Sequence, residues 1–354
     1  MEERLTTIGL MSGTSLDGVD LACCAFMRKD GVWSYEGLAY RCIPYPESWK
    51  AKLHRAFHQD LNTLKLLDKE YGEYLGTLIL QFIQEFQLTP DLIASHGHTV
   101  FHKPQESFTL QIGDGQAIAR ATGIPVVNDF RFEDVSKGGQ GAPLVPAGDK
   151  LLFAAYPVCL NIGGIANVSF DDSNGNRIAF DVCAANQVLD AIAGRMGYAY
   201  DENGAIARSG TISDDLLRQL NQLDFYRQDA PKSLGREWVE ECIWPLLRES
   251  NLVPADLLRT FTEHIAIQIG KAVHGITSSS MLLTGGGAHN HFLVGRIRAN
   301  SHHRVVVPEK NLVDFKEALV FGFLGVLRWK DEINVYSSVT GASSDSCAGR
   351  IHLP

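Results

Sequence analysis

Ile8 to Asp20 reads IGLMSGTSLDGVD. A short apolar run ends at Met11, and a polar stretch follows: Ser12, Gly13, Thr14, Ser15, Leu16, Asp17 and Gly18. A second apolar run, Val19 to Phe26, then begins. The pattern is strand, polar turn, strand. Gly13 and Gly18 permit positive φ and a close approach of backbone to a ligand. Successive N–H groups in such a turn, with the hydroxyls of Ser12, Thr14 and Ser15, can surround phosphate oxygens. Asp17 and Asp20 flank the turn and are candidate Mg2+ ligands, because Mg2+ is typically held by one or two carboxylates together with phosphate oxygens. The same composition also suits an ordinary hairpin loop, so the choice depends on the rest of the chain.

Outward from this turn, the first half reads as strands at Thr7–Met11, Val19–Met27 and Trp33–Ile43. A helix is expected from about Leu61 to Phe86, with apolar residues three and four apart at Leu64, Leu67, Tyr71, Leu75, Leu78 and Phe82. Asp91–Ser95 reads as a strand entering the polar turn His96-Gly97-His98. Phe108–Ile112 is a further strand, followed by Gly113-Asp114-Gly115, a helix from Gln116 to Thr122 and a strand Ile124–Asn128. The second half repeats this order. Val158–Asn161 and Ala166–Phe170 are strands around a glycine turn holding Gly163 and Gly164, and Arg177–Asp181 is a third strand. Helices fill much of 187–276. Met281–Thr284 is a strand ending in Gly285-Gly286-Gly287, and a helix from His291 to Ala299, the strand Arg304–Val307 and a helix from Glu317 to Trp329 complete the half. Each half has a glycine-turn hairpin near its start and a strand, glycine run, helix and strand later. This is a duplication of topology with little residue identity. Two such domains would form a cleft lined by glycine turns, a common place for ligands; two unrelated α/β domains are the other possibility.

The 354 residues are 45% hydrophobic, enough for two full cores, and 32 basic side chains stand against 41 acidic ones, for a net charge of -9. No Lys/Arg-rich run indicates a nucleic-acid surface. The seven cysteines are scattered and form no CxxC pair, which fits a reducing compartment. The N-terminus has acids where a signal peptide has bases. The longest apolar run, Ala318 to Leu327, has half of the roughly 20 residues a membrane span needs and reads as a buried helix. A soluble, cytoplasmic protein without membrane partners is expected.

Few residues stand out as carriers of chemistry. Asp181 closes the third strand of the second half, where a carboxylate suits a general base, although an Asp there also suits a turn or helix cap. Gly285 to Gly287 allow close approach of a nucleotide to backbone and to a helix N-terminus. No GxxxxGK[ST] loop occurs, and no GxGxxG follows the first strand. His96, His98 and His102 have a spacing that admits a metal ion, polar recognition or a plain loop. Asp129 and Arg131, two apart at a strand end, would point to one side and could grip a polar substrate, or form a surface ion pair.

Together MSGTSLDGVD, SHGHTVFH, LQIGDGQAIA, VNDFR, GGQGAPLVP, NIGGIANVS, PKSLGRE, TGGGAHN and KEALVFG resemble the anhydro-N-acetylmuramic acid kinases, in that family's order and over about residues 8 to 325. The resemblance implies the hexokinase/Hsp70/actin superfamily fold: an α/β protein of two duplicated ribonuclease-H-like domains around a central nucleotide cleft. The expected domains are 1–132, with residues 335–354 as a candidate completion, and 133–334 with helical insertions. The implied reaction uses ATP and Mg2+. It opens the 1,6-anhydro ring of 1,6-anhydro-N-acetylmuramic acid and phosphorylates O6, giving N-acetylmuramate 6-phosphate in murein recycling. Carried over, Gly13, Thr14, Ser15, Leu16, Asp17, Gly18, Val19, Asp20, Gly163, Gly164, Gly285, Gly286 and Gly287 bind ATP, and Asp181 is the catalytic base that deprotonates water. His96, Gly97, Asp129, Arg131 and Glu317 are candidate contacts to the amino sugar. A homodimer is implied as well. The chain departs from the family's FDTGPGN at Phe180-Asp181-Val182-Cys183-Ala184-Ala185-Asn186, from SHGQT at His98 and from PKSTGRE at Leu234. A kinase for another amino sugar, or a nucleotide-binding sensor without catalysis, are the alternatives those departures raise.

Overall fold

The computed structural model describes residues 3–13, 16–277 and 280–354. Thr14 and Ser15, both expected at a phosphate, lie outside the described residues. The chain divides into two compact units, residues 1–152 with 315–354, and residues 153–314.

The first unit is built on β1 (Glu3–Ser12), β2 (Gly18–Lys29), β3 (Val32–Pro44), β4 (Leu92–Ser95), β5 (His98–Lys103), β6 (Phe108–Ile112) and β7 (Val126–Asn128). Its sheet runs in the order β7-β4-β1-β2-β3, with the C-terminal strand Arg350–His352 added antiparallel at the β7 edge. β1, β2 and β3 form an antiparallel meander, and β1, β4 and β7 are parallel. β5 and β6 pair apart from this sheet as a separate hairpin.

Both faces of β1 are covered, which explains the nearly continuous apolar run at its centre. On one face lies the helix Leu61–Phe86, whose expected stripe of Leu64, Leu67, Tyr71, Leu75, Leu78 and Phe82 is buried. Asp60 starts that helix by accepting the N–H groups of Asn62 and Thr63 at 2.8 and 3.1 Å. On the other face residues 315–329 of the helix Lys310–Trp329 pack so closely that a Cβ on Gly9 would strike the carbonyl of Ala318. Phe323 meets Phe26 and Trp33 with ring centres 5.4 and 5.3 Å away.

The second unit carries β8 (Val158–Ile162), β9 (Ile165–Asp171), β10 (Arg177–Ala184), β11 (Ser280–Thr284) and β12 (Arg304–Val306) in the order β10-β9-β8-β11-β12. β8, β9 and β10 are an antiparallel meander, and β8, β11 and β12 are parallel. This is the first unit's order, third strand, second, first, fourth, fifth, with the second strand antiparallel to the others. The duplication read from the two hairpins is therefore a duplication of whole sheets, each ribonuclease-H-like. The helix Pro254–Val273 is buried along most of its length and packs with Val182, Leu283 and Ile297 in this unit's core.

The boundaries expected at 132 and 334 fall elsewhere. Residues 133–152 belong with the first unit because the helix Pro146–Leu152 packs on β3 and sets Gly148 against Val320. Residues 315–334 belong there through the helix that covers β1. The C-terminal return proposed from sequence is present as the strand Arg350–His352. Among the described residues no helix is long and apolar enough to cross a membrane.

Candidate active site

In the first unit, Leu16, Asp17 and Gly18 lead from the turn after β1 into β2. Leu16 takes the left-handed conformation, φ 59°. Gly18 does not; it lacks a Cβ because one would strike the carbonyl of Ile43 on β3. Asp17 is exposed, and its carbonyl accepts the N–H of Tyr45 at 3.3 Å. Ser12, the last residue of β1, shares a buried network: its Oγ lies 2.7 Å from the Tyr45 hydroxyl and 3.3 Å from His98 Nδ1, and the Tyr45 and Tyr71 hydroxyls bond each other.

Beside this network, Gly97 takes φ 71° at the end of β4, and His96 is 5% exposed. His96 Nδ1 bonds the Gly97 carbonyl at 2.9 Å, while its Nε2 accepts two N–H groups of Arg131. The guanidinium also donates to the Gly141 carbonyl at 2.6 Å. Burial, then the cation, hold the His96 imidazole well below its ordinary value and so neutral. Burial brings Arg131 down to about 10. Glu317 keeps solvent access, yet enough protein surrounds it that lost hydration raises its carboxyl, against the pull of Lys316 and Arg131.

The expected partnership of Asp129 with Arg131 does not form. Asp129 has φ 57°, which breaks the alternation of the strand before it, and Arg131 stands just before the short helix Phe132–Ser136. Asp129 Oδ2 lies 3.1 Å from Arg350 Nε instead. His96, Gly97, Arg131 and Glu317 share one neighbourhood; Asp129 has its own. Nor do the three histidines assemble as metal ligands: Arg131 fills the lone pair of His96, and His102 bonds Thr109 at 3.3 Å.

Asp20, half-buried on β2, stands near enough to Glu317 for their charges to repel. Two neighbouring carboxylates suit a hard cation that takes its remaining ligands from phosphate and water. Among the described residues no group of three or more His, Cys, Asp or Glu is arranged to hold a metal.

In the second unit Asp181 lies within β10 rather than at its end, because Val182, Cys183 and Ala184 continue the strand as buried residues. The register breaks between Asp181 and Cys183 in a β-bulge, a device that re-aims a side chain. Asp181 is paired with Asn167, Asn167 with Asn161, and Asn161 with Thr284. Residues in register share a face, so these four form a polar row across four strands. Burial raises the Asp181 carboxyl, and the Leu234 N–H, 2.8 Å from Oδ2, pulls it back down.

The glycine turns converge on this row. Gly163 and Gly164 accept the N–H groups of Asn186 and Ala185 at 3.1 and 2.8 Å. Asn186 Nδ2 donates to the Ile162 carbonyl at 3.3 Å. Gly285, φ 82°, lies against Asn161 and Ile162, where a Cβ would come within 2.7 Å of the Asn161 side chain. Gly287 likewise has no room beside Ile162. Gly163, Gly164 and Gly286 differ: an added Cβ would come no nearer than 3.7, 3.5 and 3.5 Å to any residue beyond its chain neighbours. The glycine run does not meet a helix N-terminus as expected. A 3-10 turn, Gly286–His289, intervenes, and Asn290 caps the following helix by accepting the Leu293 N–H at 2.9 Å.

Asn161, Asn167 and Asn186 received no role from sequence. Asn161 and Asn167 flank the glycine turn symmetrically in NIGGIANVS, the signal that would have placed them opposite each other.

A family model described as anhydro-N-acetylmuramic acid kinase matches residues 5–354. The chain belongs to the anhydro-N-acetylmuramic acid kinase family. Curated relatives of that name include one from Pasteurella multocida, 36% identical over 99% of this chain and 97% of the relative. Another, from Vibrio cholerae, is 35% identical over all of both chains, and one from Gloeothece citriformis is 33% identical over 98% of each. Among solved structures, a ROK family glucokinase from Streptomyces griseus in complex with glucose and AMPPNP aligns with TM-score 0.43 and 13% identity over 91% of this chain and 99% of that one. Membership makes the protein a sugar kinase, a phosphotransferase that uses ATP.

Proposed function

We propose that this kinase couples phosphorylation to ring opening: 1,6-anhydro-N-acetylmuramic acid, ATP and water give N-acetylmuramate 6-phosphate and ADP. The observation that carries the reading is Asp181, whose carboxyl is half-buried and raised, with one oxygen held by a backbone N–H. A base of this kind takes a proton from water as the water oxygen bonds to C1. The C1–O6 bond breaks, and O6 attacks the γ-phosphorus of ATP as ADP leaves. The proton stays on Asp181 until it is lost to solvent, so atoms and charge balance.

Phosphoryl transfer is served mainly by alignment and charge stabilisation. The backbone at Gly163, Gly164 and Gly286 is assigned to the nucleotide, since the protein's own packing leaves a free face there. Gly13, Thr14, Ser15, Leu16, Gly18, Val19, Gly285 and Gly287 are assigned to the same ligand. Magnesium would be held by Asp20, with Asp17 as second candidate, and would neutralise phosphate charge. The neutral His96, the Arg131 guanidinium and Glu317 are assigned to the sugar, with Gly97 shaping the turn. A homodimer in the cytoplasm is part of the same proposal, read by its mass in solution and by cell fractionation.

The test is turnover of the anhydro sugar with ATP in 18O-labelled water. The label is expected at C1 of the phosphosugar and absent from its phosphate. Label in the phosphate, or no phosphosugar, would overturn the coupled reaction. Normal turnover by Asp181→Asn would overturn the base.

A further inference from the structure

The carboxylate of Asp181 depends on a segment with no regular structure. Residues 228–235 run along β10, the edge strand of the second sheet, without joining it as a strand. Two bonds hold Asp181 to this segment: its N–H donates to the Lys232 carbonyl at 3.0 Å, and the Leu234 N–H donates to Oδ2 at 2.8 Å. The orientation of the carboxylate is therefore only as well fixed as residues 232–234.

The Lys232 side chain folds back to fix them. Its Nζ donates to the carbonyls of Phe225 and Gln228 at 3.2 and 3.0 Å. It also lies 4.7 Å from the centre of the Phe225 ring and 5.9 Å from that of Phe180, the residue before Asp181. The ammonium thus ties the segment to the end of the 3-10 turn Asp224–Arg227. The Gln228 N–H, at the start of the segment, also donates to the Phe225 carbonyl at 3.3 Å. A cavity of about 240 Å³, bordered by Phe180, Val182, Tyr226, Gln228 and Lys271, lies next to Lys232. Without the ammonium the segment has room to shift. The two carbonyls also account for the direction of two of its three protons, so the half-buried ammonium is engaged with backbone.

We propose that Lys232 is a positioning residue for Asp181, fixing through its ammonium the segment whose backbone N–H orients the carboxylate. This rests on the reading of Asp181 as the base. The charged or titratable groups facing this arrangement are Asp229 on the segment, Tyr226 on the 3-10 turn, Lys271 on the helix Pro254–Val273 and Cys183 on β10. The donor to the Asp181 carboxylate is not one of these groups but the Leu234 N–H.

The experiment compares full-length Lys232→Met, Lys232→Arg and Asp181→Asn in steady-state kinetics across pH, with melting temperatures as a check on folding. Lys232→Met is expected to lower kcat about tenfold or more, with both KM values within about twofold of wild type. The acidic limb of its kcat profile should move to higher pH, because a loosened Leu234 N–H lowers the Asp181 carboxyl less. Lys232→Arg, which still reaches both carbonyls, should recover most of the rate. If Lys232→Met fails to fold, Lys232→Gln, with one donor group in place of the ammonium, carries the same comparison. An unchanged kcat and acidic limb, beside an inactive Asp181→Asn, would overturn the role of Lys232 alone. An active Asp181→Asn would overturn the base itself.

Discussion

Arg131 donates from Nε and Nη2 to a single acceptor, Nε2 of His96, at 3.2 and 2.8 Å. A cation directed at an imidazole lone pair fixes the tautomer: Nε2 is the acceptor, and Nδ1 carries the proton donated to the Gly97 carbonyl. Protonation of His96 would set a second positive charge against the guanidinium. We expect the ring to stay neutral through and well below the ordinary histidine range in the wild type. Arg131→Met removes the cation and leaves burial as the remaining restraint, so His96 should titrate at higher pH in that variant. Histidine NMR shifts followed against pH measure this directly. Identical His96 titration in both proteins would contradict it.

Ser12 stands between Tyr45 and His98. Burial takes His98 down to about 4, so near neutral pH the ring is uncharged where its Nδ1 and the Ser12 hydroxyl bond each other. Ser12→Ala leaves Nδ1 of His98 without that partner and removes a partner of Tyr45. Each of Ser12→Ala and His98→Phe should cost about 1–3 kcal/mol of stability. The double variant should lose less than the sum by about 1 kcal/mol, because the second change removes a group already unpaired. Chemical denaturation of the four proteins measures the coupling. Additive losses would show that the two residues act independently.

His264 is fully buried; its Nδ1 lies 2.8 Å from Asn221 Oδ1 and its Nε2 3.0 Å from the Tyr226 hydroxyl. Asn221 Oδ1 can only accept, so Nδ1 carries the proton and Nε2 accepts from Tyr226. Burial lowers this histidine from 6.5 to about 3. The unfolded chain therefore binds a proton that the folded chain refuses between those values. The stabilisation is complete above about pH 6.5 and declines as pH falls toward 3. Relative to His264→Gln, the wild type should lose about 1.4 kcal/mol for each pH unit below about 6.5. Denaturation at pH 7, 6 and 5 checks the slope. A difference that does not vary with pH would contradict it.

The sheets were legible in the sequence because both hairpins are short apolar runs separated by a glycine turn, and the helix Leu61–Phe86 because its stripe is uninterrupted. Side-chain direction was less so. Asp129 and Arg131 seemed to share a face until the positive φ at Asp129 turned one away from the other, and no local signal in VNDFR marks that conformation. Asp181 was placed at a strand end because a carboxylate usually stops an apolar run; a bulge lets the run continue past it. Lys232 received no role from the sequence, since its partners are carbonyls four and seven residues earlier, which no side-chain pattern displays. The unit boundaries were misplaced for a related reason: residues 133–152 and 315–334 join the first unit by packing, which leaves little trace in composition.

The glycines separate two demands that a sequence shows as one letter. Gly18 is required by the protein itself, since a Cβ there would strike the Ile43 carbonyl. Gly286 is not: a Cβ would meet only Asn186 Nδ2, at the ordinary distance of 3.5 Å. Its φ is not left-handed, so alanine adopts the same backbone without strain. If the free face of Gly286 serves the nucleotide, Gly286→Ala should keep stability within about 1 kcal/mol of wild type. Its affinity for ATP should nevertheless fall about tenfold, or about 1.4 kcal/mol. Gly18→Ala should behave in the opposite order, losing about 1–3 kcal/mol of stability through overpacking against β3. Calorimetric melting and ATP titration of the two variants, without any sugar, read both effects independently of turnover. Unchanged ATP affinity in Gly286→Ala would remove this glycine from the nucleotide site, and a stability loss as large as that of Gly18→Ala would show that its role is packing.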